Sequence, residues 1–155
     1  MTPMRLTRRL VLAAPALTLV SAPALAGPSP AAKNAYLYFI TPHEGERVAG
    51  VFRCRFGLRN MGVAPAGVRA PNTGHHHLFI DVKEPLDPDA PIPQDRNHLH
   101  FGAGQTEAVI TLPPGRHTLQ LVLGDADHVP FDPPLVSKVI HITVVEPDVA
   151  RGPKQ

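Results

Sequence analysis

The sequence predicts an all-β fold: a single antiparallel, immunoglobulin-like β-sandwich domain behind an N-terminal signal peptide. Three observations predict it. Apolar residues recur with a period of two, and no helical stripe is found beyond the leader. Six or seven short strand-like segments are separated by Pro- and Gly-rich connections, the pattern of a sandwich. Nineteen prolines fall mostly in turns or at strand ends, where a missing N–H is tolerated.

Residues 1–26 read as a cleaved signal. Arg5, Arg8 and Arg9 supply a positive start, Leu10 to Val20 form a short apolar stretch, and Ala24-Leu25-Ala26 is a small-residue cleavage site before Gly27. The stretch is too short to serve as a membrane span. Thr7-Arg8-Arg9-Leu10-Val11-Leu12 also resembles a twin-arginine export signal. The mature chain is therefore expected to be periplasmic or secreted, with no stable membrane insertion. Residues 27–35 read as a short linker, 36–145 as the sandwich and 146–155 as a flexible tail.

Within the domain, Tyr36 to Ile40 reads as a first strand, closed by Thr41-Pro42-His43-Glu44-Gly45. Phe52 to Leu58 alternates: Phe52, Cys54, Phe56 and Leu58 share one face, and Arg53 and Arg55 the other. Leu78 to Val82 is a short apolar strand approached from Gly74. Thr106 to Leu112 alternates through Ala108, Ile110 and Leu112. Leu112-Pro113-Pro114-Gly115 then turns the chain into His117 to Leu123, so these two segments are expected to form a hairpin. Val139 to Val145 is the last strand, with Ile140, Ile142 and Val144 inward. The two long connections, Asn60 to Gly74 and the acidic, Pro-rich Glu84 to Asn97, have the length of functional or mobile loops.

Charge excludes one class of partner. The whole chain carries 15 Lys and Arg against 13 Asp and Glu, but three arginines leave with the leader, so the mature domain is close to neutral. No basic, aromatic-interleaved stripe suggests a nucleic-acid partner. The one cysteine, Cys54, permits no intramolecular disulfide and reads as a small buried hydrophobe.

The histidines carry the chemistry. Six of the nine lie in three short stretches: His75-His76-His77, His98-Leu99-His100 and Asp125-Ala126-Asp127-His128. Imidazole is the commonest metal ligand. On a strand, residues i and i+2 project the same way, so His75 with His77, and His98 with His100, form two pairs able to furnish three or four nitrogens to zinc or copper(II). The hairpin would return His128 and Asp125 to the same end. His117 would lie at the other end, about 20 Å away at roughly 3.3 Å per residue. The candidate metal ligands are thus His75, His77, His98, His100, His128 and Asp125. His76 is core-facing or a spare ligand. Asp81 and Asp127 are candidates to orient a ligating ring, and Glu107 and Gln105 to hydrogen-bond a bound water. Gly74, Gly102, Gly104 and Gly124 would permit tight turns around the site. Whether the two pairs face each other depends on a register that one residue of slip reverses. A hydrogen-bonded structural network and a metal-free binding or catalytic site remain the other readings of the same cluster. Copper(I) is less favoured, because Met61 is the one methionine left after the leader.

A series of motifs carries a resemblance: Asn72-Thr73-Gly74-His75-His76-His77-Leu78, Ile80-Asp81, His98-Leu99-His100-Phe101-Gly102, Gly104-Gln105-Thr106-Glu107 and Leu112-Pro113-Pro114-Gly115. It continues through His117-Thr118-Leu119-Gln120-Leu121, Gly124-Asp125, His128-Val129-Pro130 and Pro133-Pro134. In these the chain resembles the exported bacterial family of domain of unknown function 4399, over roughly Tyr36 to Val144. The resemblance implies a single extracytoplasmic β domain and brings no activity with it. The family pattern has a further histidine after the His-x-Pro unit, where this chain has Phe131; if that residue is a ligand elsewhere, this site has one ligand fewer.

The leading expectation is a periplasmic His-cluster protein binding copper(II) or zinc for storage, delivery or sensing. A metal-dependent hydrolase is the first alternative, with a His-ligated water and Glu107, Asp125 or Asp127 as general base. The second is a non-catalytic envelope binding module with a structural histidine network. For that module the only mature tyrosines, Tyr36 and Tyr38, are the available aromatics beside phenylalanine.

Overall fold

The computed structural model describes residues 28–146. The expected signal peptide and nearly all of the expected tail lie outside these residues. Nine strands are present: β1 (Tyr36–Thr41), β2 (Arg47–Ala49), β3 (Val51–Arg59), β4 (Gly62–Val63), β5 (Thr73–Ile80), β6 (His98–His100), β7 (Glu107–Thr111), β8 (Gly115–Gly124) and β9 (Ile140–Val145). They form a three-stranded sheet in the order β1-β3-β7 and a six-stranded sheet in the order β2-β9-β8-β5-β4, with β6 also paired to β5. The fold is an all-β, immunoglobulin-like sandwich. Most pairings are antiparallel, and the short β2 and β4 run parallel to β9 and β5.

Period two builds the core. Phe52, Cys54 and Phe56 of β3 face Leu119, Leu121 and Leu123 of β8 and Ile140, Ile142 and Val144 of β9 in one buried cluster between the sheets. Arg53 and Arg55 alternate outward and share Glu107 of β7 as an exposed partner. Burying a side chain of this size contributes about 1.5–3 kcal/mol, so these strands hold the sandwich together and the loops do not.

The expected hairpin is corrected. β7 pairs with β3 in the small sheet, whereas β8 pairs with β5 and β9 in the large one. Pro113 and Pro114 carry the chain across the sandwich edge instead of closing a tight turn, because neither offers the N–H that a hairpin ladder requires. Residues 28–35, expected as a linker, are attached to the domain: the Ala31 amide donates to the Asp132 carbonyl and the Asp132 amide to the Ser29 carbonyl.

One strand is covered twice. β5 is buried from Gly74 to Ile80. Its inward face, including His76, Leu78 and Ile80, looks into the inter-sheet core. Its outward face carries His75, His77 and Phe79, and lies under the two connections 81–97 and 125–131. There Phe79, Ile92 and Val122, flanked by Val82 and Leu86, make a second small apolar cluster outside the sandwich.

Cys54 has no exposed surface, and burial pushes its thiol up to about 12. The native chain is therefore expected to leave a thiol reagent such as Ellman's unreacted at pH 8 and to form no disulfide dimer. Rapid stoichiometric labelling without denaturant would contradict this placement.

Candidate metal centre

The register that the sequence left open is settled by β5 and β6, where His77 pairs with His100 and Phe79 with His98. His77 and His100 therefore stand side by side on the outward face of the large sheet. β5 also pairs with β8 so that His75 lies opposite Gly124. The chain leaving β8 rises directly over His75 and delivers His128. His128 thus joins the end of the sandwich expected from sequence, through the β5–β8 pairing and not through the hairpin.

Four imidazoles converge. Donor nitrogens of His75, His100 and His128 all lie within 4.8 Å of one another. His77 Nε2 is 3.1 Å from His75 Nε2, so one of the two rings donates to the other. Ring centroids are 4.9 Å apart for His75 and His128, 5.0 Å for His77 and His100, and 4.8 Å for His100 and His128. His75 and His77 are fully buried, while His100 and His128 are partly exposed. His75 Nδ1, His77 Nδ1 and His100 Nε2 are buried without a hydrogen-bond partner. Leaving such atoms unpaired costs on the order of 1–3 kcal/mol each. Zinc–nitrogen bonds of 2.0–2.1 Å would place tetrahedral ligand nitrogens about 3.3 Å apart. The His75–His77 separation of 3.1 Å is close to that spacing, and the donor nitrogens of His75, His100 and His128 lie within 4.8 Å of one another. The residues present therefore fit a metal ion.

Two glycines make the room. A Cβ on Gly102 would fall 2.2 Å from the His100 ring, and one on Gly124 would fall 2.9 Å from His77 Nε2. Their service is close approach rather than the tight turn expected from sequence; among the glycines expected at the site only Gly104, with φ +78°, is in the left-handed region.

The remaining candidates sit elsewhere. His98 lies one residue pair further along β6, roughly 6.6 Å from His100 at 3.3 Å per residue. Its Nδ1 is 3.0 Å from Asp95 Oδ1, and its ring stands edge-on to Phe79. His76 faces the core against Phe56, with Nδ1 3.2 Å from the Gln105 carbonyl. Gln105 thus meets a histidine through its backbone, while its side-chain oxygen accepts from the Ala103 amide. Asp125 is not among the converging groups. Its Oδ1 accepts from the Asp127 and Val129 amides and its Oδ2 from Ser29 Oγ, so its bonding is spent on its own loop and on the N-terminal segment. Asp127 is bound by Arg69 through two contacts of 2.7 Å. Glu107 lies on the outer face of the opposite sheet with Arg53 and Arg55.

Asp81 braces the far end of the sandwich by accepting from the Thr118 amide and contacting His117 Nδ1 at 2.7 Å. Burial alone would raise the Asp81 carboxyl, but those hydrogen bonds outweigh it and hold it low. His117 moves up, because Asp81 and the Pro113 carbonyl outweigh its burial. Phe131 packs in the inter-sheet core, on the opposite side of the sheet from the imidazoles. Its place in the sequence therefore removes no ligand from this cluster.

Sequence reasoning missed Ser29, which fell in the expected linker and carries no ligand signal. It also missed Ile92, whose amide donates to the His128 carbonyl and ties the two covering connections together.

The site's electrostatics favour neutral rings. Burial pushes His75 down to about 4, helped by the neighbouring His128 and His100. His77 goes down to about 3 by burial and then by the imidazoles of His75, His100, His128 and His76. His100 is also lowered, by burial and by His128. His76 is down to about 4 by burial, partly offset by the Gln105 carbonyl.

The whole is a β-sandwich with an imidazole cluster on the outer face of its larger sheet. The chain belongs to the family Domain of unknown function (DUF4399), whose model matches residues 54–145. Among solved structures it is similar to the fibronectin(III)-like modules of Clostridium thermocellum CbhA at 9% identity and a TM-score of 0.36, over 71% of this chain and 96% of that one. None of the curated proteins compared with the chain matches it.

These histidines tie stability to pH. Unfolded, they protonate near 6.5; folded, His75, His76 and His77 do so only near 3 to 4. Their contribution is complete above pH 6.5 and is lost as pH falls through 6 and 5 toward those values. In metal-free protein each should remove about 1.4 kcal/mol of stability per pH unit below 6. Urea midpoints at pH 7, 6, 5 and 4.5 measure it. A His76→Leu variant should lose about one histidine's share of the slope, and an unchanged slope would contradict the assignment.

Proposed function

We propose that this chain is an exported, periplasmic or secreted, metal-binding protein that holds one copper(II) or zinc ion through His75, His100 and His128, with His77 as a fourth imidazole, for storage, delivery or sensing. The observation that carries the reading is the convergence of these rings with three buried nitrogens that nothing in the protein satisfies. A bound ion would take one nitrogen from each ring and so offset part of the cost of burying the cluster. Neutral imidazole is the ligating form, and burial keeps the rings neutral at physiological pH.

An all-nitrogen donor set suits copper(II) or zinc. Softer chemistry is less well served, because Cys54 and Met61 both belong to the inter-sheet core. Each residue considered as a general base is already engaged: Glu107 with Arg53 and Arg55, Asp127 with Arg69, and Asp125 with its own loop. That favours a binding role over hydrolysis. Among the described residues no helix is long and apolar enough to cross a membrane.

The test is calorimetric titration of untagged mature protein with copper(II) and with zinc, beside elemental analysis of the protein as purified. One ion per chain is expected. His100→Ala should weaken binding by about 100-fold, more than loss of a supporting residue usually does, while His98→Ala should change it less than about threefold. Gly102→Ala should also weaken binding, by displacing the His100 ring. Absence of binding, or equal losses in the His98 and His100 variants, would overturn the reading.

A further inference from the structure

The geometry points to the N-terminal segment, residues 29–31, as a latch that holds His128 in the imidazole cluster, with Ser29 and Asp125 as its positioning residues. For its effect on an ion this rests on the metal reading above; the latch itself does not.

His128 is the one member of the cluster that no strand carries. It adopts φ +67°, a conformation that is costly for a non-glycine residue and persists only where its surroundings enforce it. Asp125 supplies much of that enforcement. Its backbone amide donates to the Val129 carbonyl, and its carbonyl accepts from the His128 amide. Its Oδ1 accepts from the amides of Asp127 and Val129 at 2.9 and 3.0 Å. The carboxylate thus closes residues 125–129 into a ring of hydrogen bonds with His128 at the apex.

What anchors that carboxylate comes from the far end of the chain. Asp125 is only 6% exposed, and its other oxygen accepts a 2.7 Å hydrogen bond from Ser29 Oγ, 96 residues away in sequence. Ser29 is itself fixed by the two backbone bonds between Ser29, Ala31 and Asp132. Two backbone bonds also reach this loop, from the Ile92 amide to the His128 carbonyl and from the Gly67 amide to the Ala126 carbonyl, and the other side-chain restraint, Asp127 with Arg69, has both side chains about half exposed or more. Exposed ion pairs contribute little, because water screens them and two long side chains must be ordered. A hydrogen bond to a buried charged group contributes more. Of the two side-chain restraints on the loop, Ser29 is therefore the stronger, and it is the one that holds the Asp125 carboxylate. Coupling of this kind is reciprocal: whatever fixes His128 must also fix residues 29–31.

The experiment has two arms on the full mature chain. Amide hydrogen exchange of metal-free wild type, Ser29→Ala and Ser29→Thr tests the latch alone. Asp127, His128 and Val129 should exchange about tenfold faster in Ser29→Ala, with Leu121 unchanged and Ser29→Thr restored to near wild type. Unchanged exchange at 127–129 overturns the latch. The second arm titrates copper(II) into wild type, Ser29→Ala, His128→Ala and the double variant. Ser29→Ala should weaken binding about tenfold in the wild-type background and not at all where His128 is absent. Equal losses in both backgrounds would overturn the positioning role. No copper binding by wild type would overturn the metal reading while the exchange arm still decides the latch.

Discussion

The structure turns on the burial of β5 on both faces. A strand at the surface of a sandwich carries polar residues outward without cost, whereas this strand is roofed by two connections that meet where the Ile92 amide reaches the His128 carbonyl. Three consecutive histidines are consequently removed from water, and their ring nitrogens must be satisfied from within. His76 finds one partner in the Gln105 carbonyl. His75 and His77 find only each other and the rings of His100 and His128.

The cluster has a rigid side and a more open one. His75 and His77 rise from the middle of a strand paired on both edges, which fixes them to the precision of the sheet. His100 lies on a three-residue strand and His128 on a loop, and these two keep some exposure. Solvent therefore reaches the cluster on the side of His100 and His128.

Much of this was legible in the sequence. The alternation of Phe52, Cys54 and Phe56 and of Ile140, Ile142 and Val144 located the core and its strands, because side-chain direction has a strict period along a strand. Pairing is a different kind of information. The Pro-Pro-Gly sequence resembled a hairpin turn, yet β7 and β8 lie in opposite sheets; alternation shows which face is apolar, not which neighbour covers it. The fold brings His75, His77, His100 and His128 together, and the strand spacing of the histidine pairs was visible in the sequence. His98 and Asp125 were included beside them because their spacing was right, although Asp95 and the loop amides had the stronger claim on each. Ser29 had no signature, since its importance comes from a contact across nearly the whole domain.

The central claim is that His75, His77, His100 and His128 converge on a single ion. X-ray absorption spectroscopy of the copper(II)- or zinc-loaded mature protein measures it most directly, by counting imidazole rings around the metal. The account predicts three or four imidazoles at about 2.0–2.1 Å, falling by one in His128→Ala. A shell made mostly of oxygen, or one unchanged in that variant, would contradict it.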